Sequence, residues 1–402
     1  MRRILAAIAV IAAAGALPGC GSSRPGNSTS SLPTISAPPP TVTQPAPPGT
    51  NGALPWPTYG ANNARLRAVT APRVRPPFRR LWTFHGHALL EFPPVVGYGG
   101  VFEEAFDGHL YALDPASGKV RWRHYPHLCG WSSPALADHL LFASFIGHPD
   151  CHTPPGKGLI VALSPRTGRI RWRRRIGPCE SSPVVWKGTV YVGDQDGHVY
   201  AFDARTGRLR WSFDSGAPIK ASVSLAYGRI FIGNYAGELF ALAARTGRLL
   251  WRSGGYGDFY STAAVSNGRV YVGSLDGRVY AFSAWRGARL WSFQTASYVY
   301  ASPAVWRGLV LIGAFDDNFY ALQGTSGSIR WLFNAGAPIS GAAAVVNGIA
   351  YFSTTRHRTY ALAADSGRVR QEWRDGEYSP AVVGNGRLYL VGTGRIYALS
   401  PR

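Results

Sequence analysis

One motif is rewritten along this 402-residue chain, and it constrains the fold more than any other feature. Its clearest copy runs from Ala201 to Trp211: Ala-Phe-Asp-Ala-Arg-Thr-Gly-Arg-Leu-Arg-Trp. Variants end at Trp122, Trp172, Trp251, Trp291 and Trp331, and a looser one ends at Trp373. Trp82 stands ahead of them in Leu81-Trp82-Thr83-Phe84. The spacing is about forty residues, the period of a β-propeller with one four-stranded blade per repeat. Only the step from Trp122 to Trp172 is markedly longer.

The stretch from Ser261 to Trp291 shows what one repeat builds. Ala263-Ala264-Val265 is a short apolar run, and Asn267-Gly268 is a strong two-residue hairpin signal. Arg269 to Gly273 alternates as a strand, and Leu275-Asp276-Gly277 turns the chain again. Val279-Tyr280-Ala281-Phe282 is apolar on both faces, as expected of a strand packed between two neighbouring sheets. A turn at Trp285-Arg286-Gly287 precedes the outer strand, Leu290-Trp291-Ser292-Phe293. The glycine of the Thr-Gly-Arg turn supplies positive φ, which residues with a Cβ adopt poorly. Each tryptophan offers a flat surface to the adjoining blade and an indole N–H that needs an acceptor, so the whole row is read as core packing.

Third strands open at Tyr111, Val161, Tyr200, Phe240, Tyr280, Tyr320, Tyr360 and Tyr397, which makes eight blades. The last triplet, Tyr397-Ala398-Leu399, has no tryptophan strand behind it, and Trp82 has no blade in front of it. Each deficit repairs the other if Leu81–Phe84 is lent to the final blade, which leaves no long open sheet edge. The expected fold is all-β: an eight-bladed β-propeller of four-stranded antiparallel blades over residues 53–402, closed by the Trp82 strand joining the last blade.

Ahead of the ring, Arg2-Arg3 and the apolar run from Ile4 to Leu17 have the make-up of an export signal. The run is short for a membrane span. Leu17-Pro18-Gly19-Cys20 resembles the lipobox of bacterial lipoproteins. That resemblance implies removal of residues 1–19, lipidation of Cys20 and an extracytoplasmic address at the cell membrane. Pro18 is unusual in such a box, so ordinary signal cleavage stays open. Residues 20–52 are rich in Ser, Pro, Thr and Gly with scarcely a charge, a composition that cannot bury a core and reads as a tether.

Trp56-Pro57-Thr58-Tyr59-Gly60 and Arg65 resemble the segment that leads into the ring of quinoprotein dehydrogenases. The repeats resemble the same superfamily. Ala-x-Asp-x-x-Thr/Ser-Gly-Lys/Arg-x-x-Trp is the tryptophan-docking repeat of pyrroloquinoline-quinone (PQQ)-type propellers, matched best by Ala112 to Trp122 and Ala201 to Trp211. The likeness covers nearly everything from Trp56 onward and implies the propeller fold. It implies two kinds of function, since the repeat serves redox enzymes and also the non-catalytic propeller lipoprotein of the outer-membrane barrel-assembly machinery. Fold does not choose between them. The enzymes carry adjacent cysteines over the quinone, calcium-ligating carboxylates and amides, and a catalytic Asp. This sequence has no adjacent cysteines, no Cys-x-x-Cys-His haem motif, no glycine-rich phosphate loop and no Gly-x-Ser-x-Gly elbow. No catalytic residue, metal or cofactor is therefore assigned, and PQQ belongs to the alternative, enzymatic reading.

Variation is uneven between the two faces of the ring. One face, by strand order, consists of near-identical tight turns; the other holds the one large insertion, Phe145 to Gly158. The variable face also holds Cys129, Cys151, Cys179, His85, His87, His124, His127, His148 and His152. Variable loops on a repetitive scaffold are the usual home of function. An exported chain favours a disulfide, and three cysteines leave one over. Cys129 begins the second blade and Cys151 lies in that blade's insertion, so Cys129–Cys151 is the expected pair, with Cys179 as fallback partner. The alternative is a metal site of His124, His127, Cys129, His148, Cys151 and His152, although those spacings fit no recognised zinc module.

Aligning the residues that lead into each blade places Glu91, Trp131, Glu180, Lys220, Tyr260, Tyr300, Ser340 and Glu377 around the mouth of the central channel. Tyr256, Phe259, Tyr298 and Tyr378 are expected near this rim. Aromatic and carboxylate side chains so placed hold a ligand or a peptide by stacking and charge; the alternative is that inner-strand ends are simply solvated there.

Lys and Arg number 42 against 21 Asp and Glu, a net charge of +21 at pH 7. Nucleic acid is the reflex partner for so basic a chain, but the export signal argues against it and favours anionic headgroups or wall polymers. The expected protein is a monomeric, lipid-anchored, extracytoplasmic propeller that binds or scaffolds a protein partner or an envelope ligand on its variable face, without catalysis. Two other classes stand beside it: a quinone-dependent oxidoreductase or quinone binder, and a sensor or carrier of a small ligand at the channel mouth.

Overall fold

The structure, a computed structural model, describes residues 54–402 apart from 72, 148–150, 152–155 and 379–380. The expected export signal (1–19), the lipidation site Cys20 and the tether (20–52) lie outside the described residues. All the regular elements described are strands, and no helix among the described residues is long and apolar enough to cross a membrane.

Short apolar strands punctuated by tight turns build eight sheets. Blade 1 shows the plan: Val95–Gly97 pairs with Gly100–Glu104, then Leu110–Leu113, then Val120–His124, all antiparallel. Blades 2 to 7 occupy residues 135–176, 184–214, 224–253, 264–294, 304–334 and 344–373. Blade 8 takes Ala381–Gly384, Arg387–Val391 and Arg395–Pro401, and borrows its outer strand, Phe78–His85, from in front of blade 1. Trp82 sits opposite Ala398 there, so the ring closes as the two deficits in the repeat require. Middle strands such as Arg269–Gly273 and Arg278–Ser283 are almost wholly buried because a neighbouring blade covers each face. The core accordingly lies between blades, as where Phe231 and Trp251 of blade 4 pack with Val270, Tyr280 and Phe282 of blade 5. First strands of successive blades touch and line the axis.

Tryptophans join one blade to the next. Trp82, Trp122, Trp172, Trp211, Trp251, Trp291 and Trp331 each donate the indole N–H to a carbonyl in the following blade's turn between third and fourth strands. The acceptors are Pro115, Pro165, Ala204, Ala244, Ala284, Gly324 and Ala364, at 2.9–3.1 Å. The ring lies on the glycine of that same turn: a Cβ on Gly247 would stand 2.6 Å from Trp211. Gly247 also holds φ at 72°. This glycine is thus required twice, by its backbone and by the ring that covers it.

Trp373 is not the eighth member of the row, contrary to its reading as a looser copy. Register puts Gln371 opposite Ala361, where blade 6 has Trp331 opposite Ala321. Trp373 lies two residues further on, its ring 6.3 Å from that of Tyr351. The seam explains the exception. Third and fourth strands of blade 8 come from distant parts of the sequence and share no turn, so blade 7 faces no turn glycine on which a tryptophan could lie.

Residues 56–69 do more than precede the ring. Trp56 exchanges backbone hydrogen bonds with Val96 of blade 1, and Pro57 O accepts from Leu136 N of blade 2. Asn63 Nδ2 donates to Val185 O of blade 3. The carbonyls of Asn63, Ala64, Leu66 and Arg67 then accept from Leu225, Val265, Val305 and Val345 of blades 4 to 7. Ala68–Val69 finishes as a fifth strand, parallel to the first strand of blade 7. The segment satisfies amides on the inner edges of the first strands and so plugs the axis.

Candidate functional site at the channel mouth

On the variable-face side of the plug, a repeated backbone bond positions the rim. The amide that starts each loop between second and third strands donates to the carbonyl two residues before a rim residue. Phe106 bonds Leu89, Gln195 bonds Pro178, Tyr235 bonds Pro218, Leu275 bonds Asp258, Phe315 bonds Tyr298 and Thr355 bonds Pro338, at 2.8–3.0 Å. These bonds fix Glu91, Glu180, Lys220, Tyr260, Tyr300 and Ser340. Blade 2 holds Trp131 differently: Cys129, two residues earlier, exchanges backbone bonds with Ile146 and forms a disulfide with Cys151 in the insertion. In blade 8, Asp375 stands two residues before Glu377 and accepts from Thr393 N through its carboxylate, at 3.2 Å.

The residue just before the rim position is core. Leu90, Cys179, Ile219, Phe259, Val299 and Ile339 are all fully buried. Phe259 is therefore not a rim residue, because its side chain fills the blade interface. Tyr256 also leaves the rim, packing against Tyr280 and Phe282 with centroids 4.8 and 5.3 Å away. Tyr298 stays, 6.3 Å from Tyr300 and well exposed, and Tyr378 stands beside Glu377. Among the described residues, Cys179 is the thiol outside the disulfide. Burial pushes its pKa far up, which makes it a poor nucleophile.

The acids of the rim feel one another across the mouth. Burial lifts the pKa of Glu91 to about 8, and the charges of Glu180 and Glu377 add to the effect. Burial also raises Glu180, opposed by Lys220 with its Nζ 3.4 Å away. Glu180 Oε1 accepts from Gln195 Nε2 at 2.6 Å, while its Oε2 has no partner among the described residues. Glu377 is raised by burial and eased by His357, 3.7 Å away. Tyr260 and Tyr300 lie 5.4 Å apart, backed by Tyr235 and Phe315. Trp131 stacks on Phe106 at 5.4 Å. The structure thus gathers Glu91, Glu180, Lys220, Tyr260, Tyr300 and Glu377 around one mouth.

Two residues beyond the rim runs a belt of hydroxyls. Amides of Ser133, Ser182, Ser222 and Thr262 donate to the side-chain oxygens of Ser182, Ser222, Thr262 and Ser302 in turn, each at 2.9 Å. Tyr59 of the plug donates to Ser302 Oγ at 3.3 Å. Neither the belt nor the partners Gln195, Tyr235, Phe315 and His357 was singled out from the sequence. The forty-residue spacing of Ser182, Ser222, Thr262 and Ser302 was the available signal.

The expected Cys129–Cys151 disulfide forms, and the alternative metal site does not assemble among the described residues. Cys129 and Cys151 bond to each other, His148 and His152 lie outside the described residues, and among the described residues no three His, Cys, Asp or Glu side chains converge as metal ligands. PQQ, the cofactor of the alternative reading, is a tricarboxylate. Among the described residues no three acidic, His or Cys side chains converge to hold the calcium that would offset its charge, and Lys220 is matched to Glu180, so the residues present do not fit that group.

A family model described as outer membrane protein assembly factor BamB matches residues 106–252 and 195–402. The chain is similar in structure to BamB from Moraxella catarrhalis (TM-score 0.66, 15% identity, covering 80% of this chain and 99% of that one). It is similar to a europium-containing methanol dehydrogenase (0.71, 14%, 86% and 98%). It is also similar to the quinohemoprotein alcohol dehydrogenase of Comamonas testosteroni (0.69, 13%, 86% and 80%). At such identities the structural likeness is one of fold. No curated protein sequence matches the chain.

Proposed function

The chain belongs to the family of PQQ-like propellers described as outer membrane protein assembly factor BamB, and from that premise we propose that it is an extracytoplasmic binding or scaffolding module rather than an enzyme. The observation that carries the reading is the rim, where carboxyl and aromatic side chains from different blades meet above a plugged axis. The plug leaves the variable face as the way in, so the mouth serves to grip and not to conduct. Exposed aromatics such as Tyr298 beside Tyr300 are the anchors that protein interfaces favour. The family's description as an assembly factor supports a protein partner. Within the same proposal, residues 1–19 direct export, Cys20 carries the lipid and residues 20–52 tether a monomeric ring to the membrane.

Photo-crosslinking in intact cells tests this. A cross-linking residue at Tyr298 should trap a defined envelope protein, and one at Trp285 on the uniform face should not. Tyr300→Ala with Glu377→Gln should cut the trapped fraction roughly thirtyfold, the loss of about 2 kcal/mol expected of an interface anchor. Equal trapping from both faces would refute the mouth as the site. Micromolar quinone binding with calcium-dependent turnover of an alcohol would replace the reading with a catalytic one.

A further inference from the structure

The plug buries two guanidinium groups, and among the described residues no carboxylate pairs with either. Arg65 is 0% and Arg67 is 2% exposed. Arg65 is well satisfied: Nε donates to Val223 O at 2.9 Å, Nη2 to Ser182 O at 2.9 Å, and Nη1 to Thr58 Oγ1 at 2.8 Å and to the carbonyl of Tyr59. Arg67 is not. Its Nη1 donates to the carbonyls of Arg65 and Pro303, at 2.8 and 3.1 Å, and its guanidinium lies 4.4 Å from the Tyr59 ring centroid. Its Nε and Nη2 have no partner among the described residues. Trp56, 1% exposed, has an indole N–H that likewise lacks one.

Arg67 and Trp56 line one cavity. The rest of its wall is Tyr59, Gly60, Pro93, Ala381 and residues 342–344, all alanine, at the junction of blades 7, 8 and 1. Among the described residues no side chain there except the Tyr59 hydroxyl offers an oxygen, and that hydroxyl is bonded to Ser302. A buried donor left unmatched costs about 1–3 kcal/mol, and more when it is charged. Arginine does not escape by losing its proton at neutral pH. Water would accept the hydrogen bonds but bring no charge to two neighbouring cations in a low-dielectric interior. That mutual repulsion is felt by Arg65, whose pKa falls to about 9, through burial first and the charge of Arg67 second.

We propose that this cavity binds a single monatomic anion, chloride, held by the Nε and Nη2 donors of Arg67 and the indole N–H of Trp56. A cavity of about 10 Å³ has room for a body near the size of a water molecule, which suits a monatomic anion better than sulfate, phosphate or an organic carboxylate. The anion links the plug to the blades that close the ring, and it completes a site opposite in sign to the acidic rim. The proposal is independent of what the rim binds.

Crystals of the purified protein soaked in bromide provide the direct test. The expected result is an anomalous peak within hydrogen-bonding distance of Arg67 Nη2 and Trp56 Nε1. In solution, melting temperature should rise saturably with chloride replacing gluconate at fixed ionic strength. Trp56→Phe should weaken the apparent chloride affinity at least tenfold, and Arg67→Gln should abolish the dependence. If Arg67→Gln fails to fold, the bromide peak and the Trp56→Phe shift still decide the matter. Density for a water with no anomalous signal, a chloride-indifferent melting temperature, or an affinity unchanged by Trp56→Phe would each overturn the proposal.

Discussion

Glu103 is a carboxyl group at a place built for a hydrocarbon. It pairs with Tyr111 as Val192 pairs with Tyr200 and Val272 with Tyr280 in sister blades. The side chain is fully buried and neither carboxyl oxygen has a partner among the described residues. Glu103 and its neighbour Glu104 both lie inside the ring. Burial, with the neighbouring charge of Glu104, raises the Glu103 pKa well above 4.5. Below about pH 4.5 both folded and unfolded chains hold this proton, so the group costs no pH-dependent stability. Above it the unfolded chain ionises while the folded one does not, and stability is lost as pH rises toward the folded value. Glu103→Val should stabilise the protein by about 1–3 kcal/mol at neutral pH in denaturant titrations. Its advantage should widen between pH 4.5 and 8. A destabilised variant, or a constant difference across that range, would show that Glu103 has a stabilising partner.

Blade docking is the corresponding device among the elements, and glycine substitutions separate its two parts. Gly247 and Gly228 hold nearly the same φ, 72° and 68°. A Cβ on Gly247 would meet the Trp211 ring at 2.6 Å, whereas one on Gly228 has nothing within 4 Å. Gly228→Ala should therefore cost only the left-handed backbone term, about 1 kcal/mol. Gly247→Ala should cost about 2–4 kcal/mol, because the tryptophan must also lift off the turn. Equal losses would mean that the stacked ring contributes nothing to the choice of glycine. The same logic accounts for Gln371: docking by tryptophan is used where a turn receives it and absent at the seam.

Over the whole molecule, acids and bases are distributed by face. Hairpins of the uniform face carry Lys119, Arg169, Lys187, Arg208, Arg229, Arg248, Arg269, Arg289, Arg307, Arg368 and Arg387, against Asp114, Asp138, Asp203 and Asp365. Asp114 and Asp203 are held by Arg121 and Arg210 at 2.6 and 2.7 Å. Bases on the variable face stand with acids, as in Lys220–Glu180, Arg252–Glu238, Arg358–Glu372 and Arg395–Asp375. The polarity therefore comes from where the acids are, and it leaves a basic face suited to anionic headgroups. With lipidation blocked by Cys20→Ala, reversing Arg208, Arg248, Arg289 and Arg368 to Glu should weaken binding to phosphatidylglycerol vesicles at least tenfold. Wild-type binding should fall as salt rises. Unchanged binding would remove the membrane from the role of this face.

What was legible in the residues is what the chain repeats. Blade number, strand order, the tryptophan-on-glycine turns and the closing strand at Trp82 are local, periodic instructions, each written several times over, so one weak copy is corrected by the others. Rim positions were legible for the same reason, since they are one register of the repeat. Features that occur once had no copies to be compared with. Residues 56–69 fill the axis only because eight inner edges converge there, and nothing in Trp56 or Arg67 alone announces that convergence. Phe259 and Glu103 went inside, and Trp373 fell out of the row, because each depends on which blade faces it across an interface. Period and turn chemistry act within a repeat of about forty residues, whereas burial, charge coupling and the plug act between repeats that meet only when the ring closes.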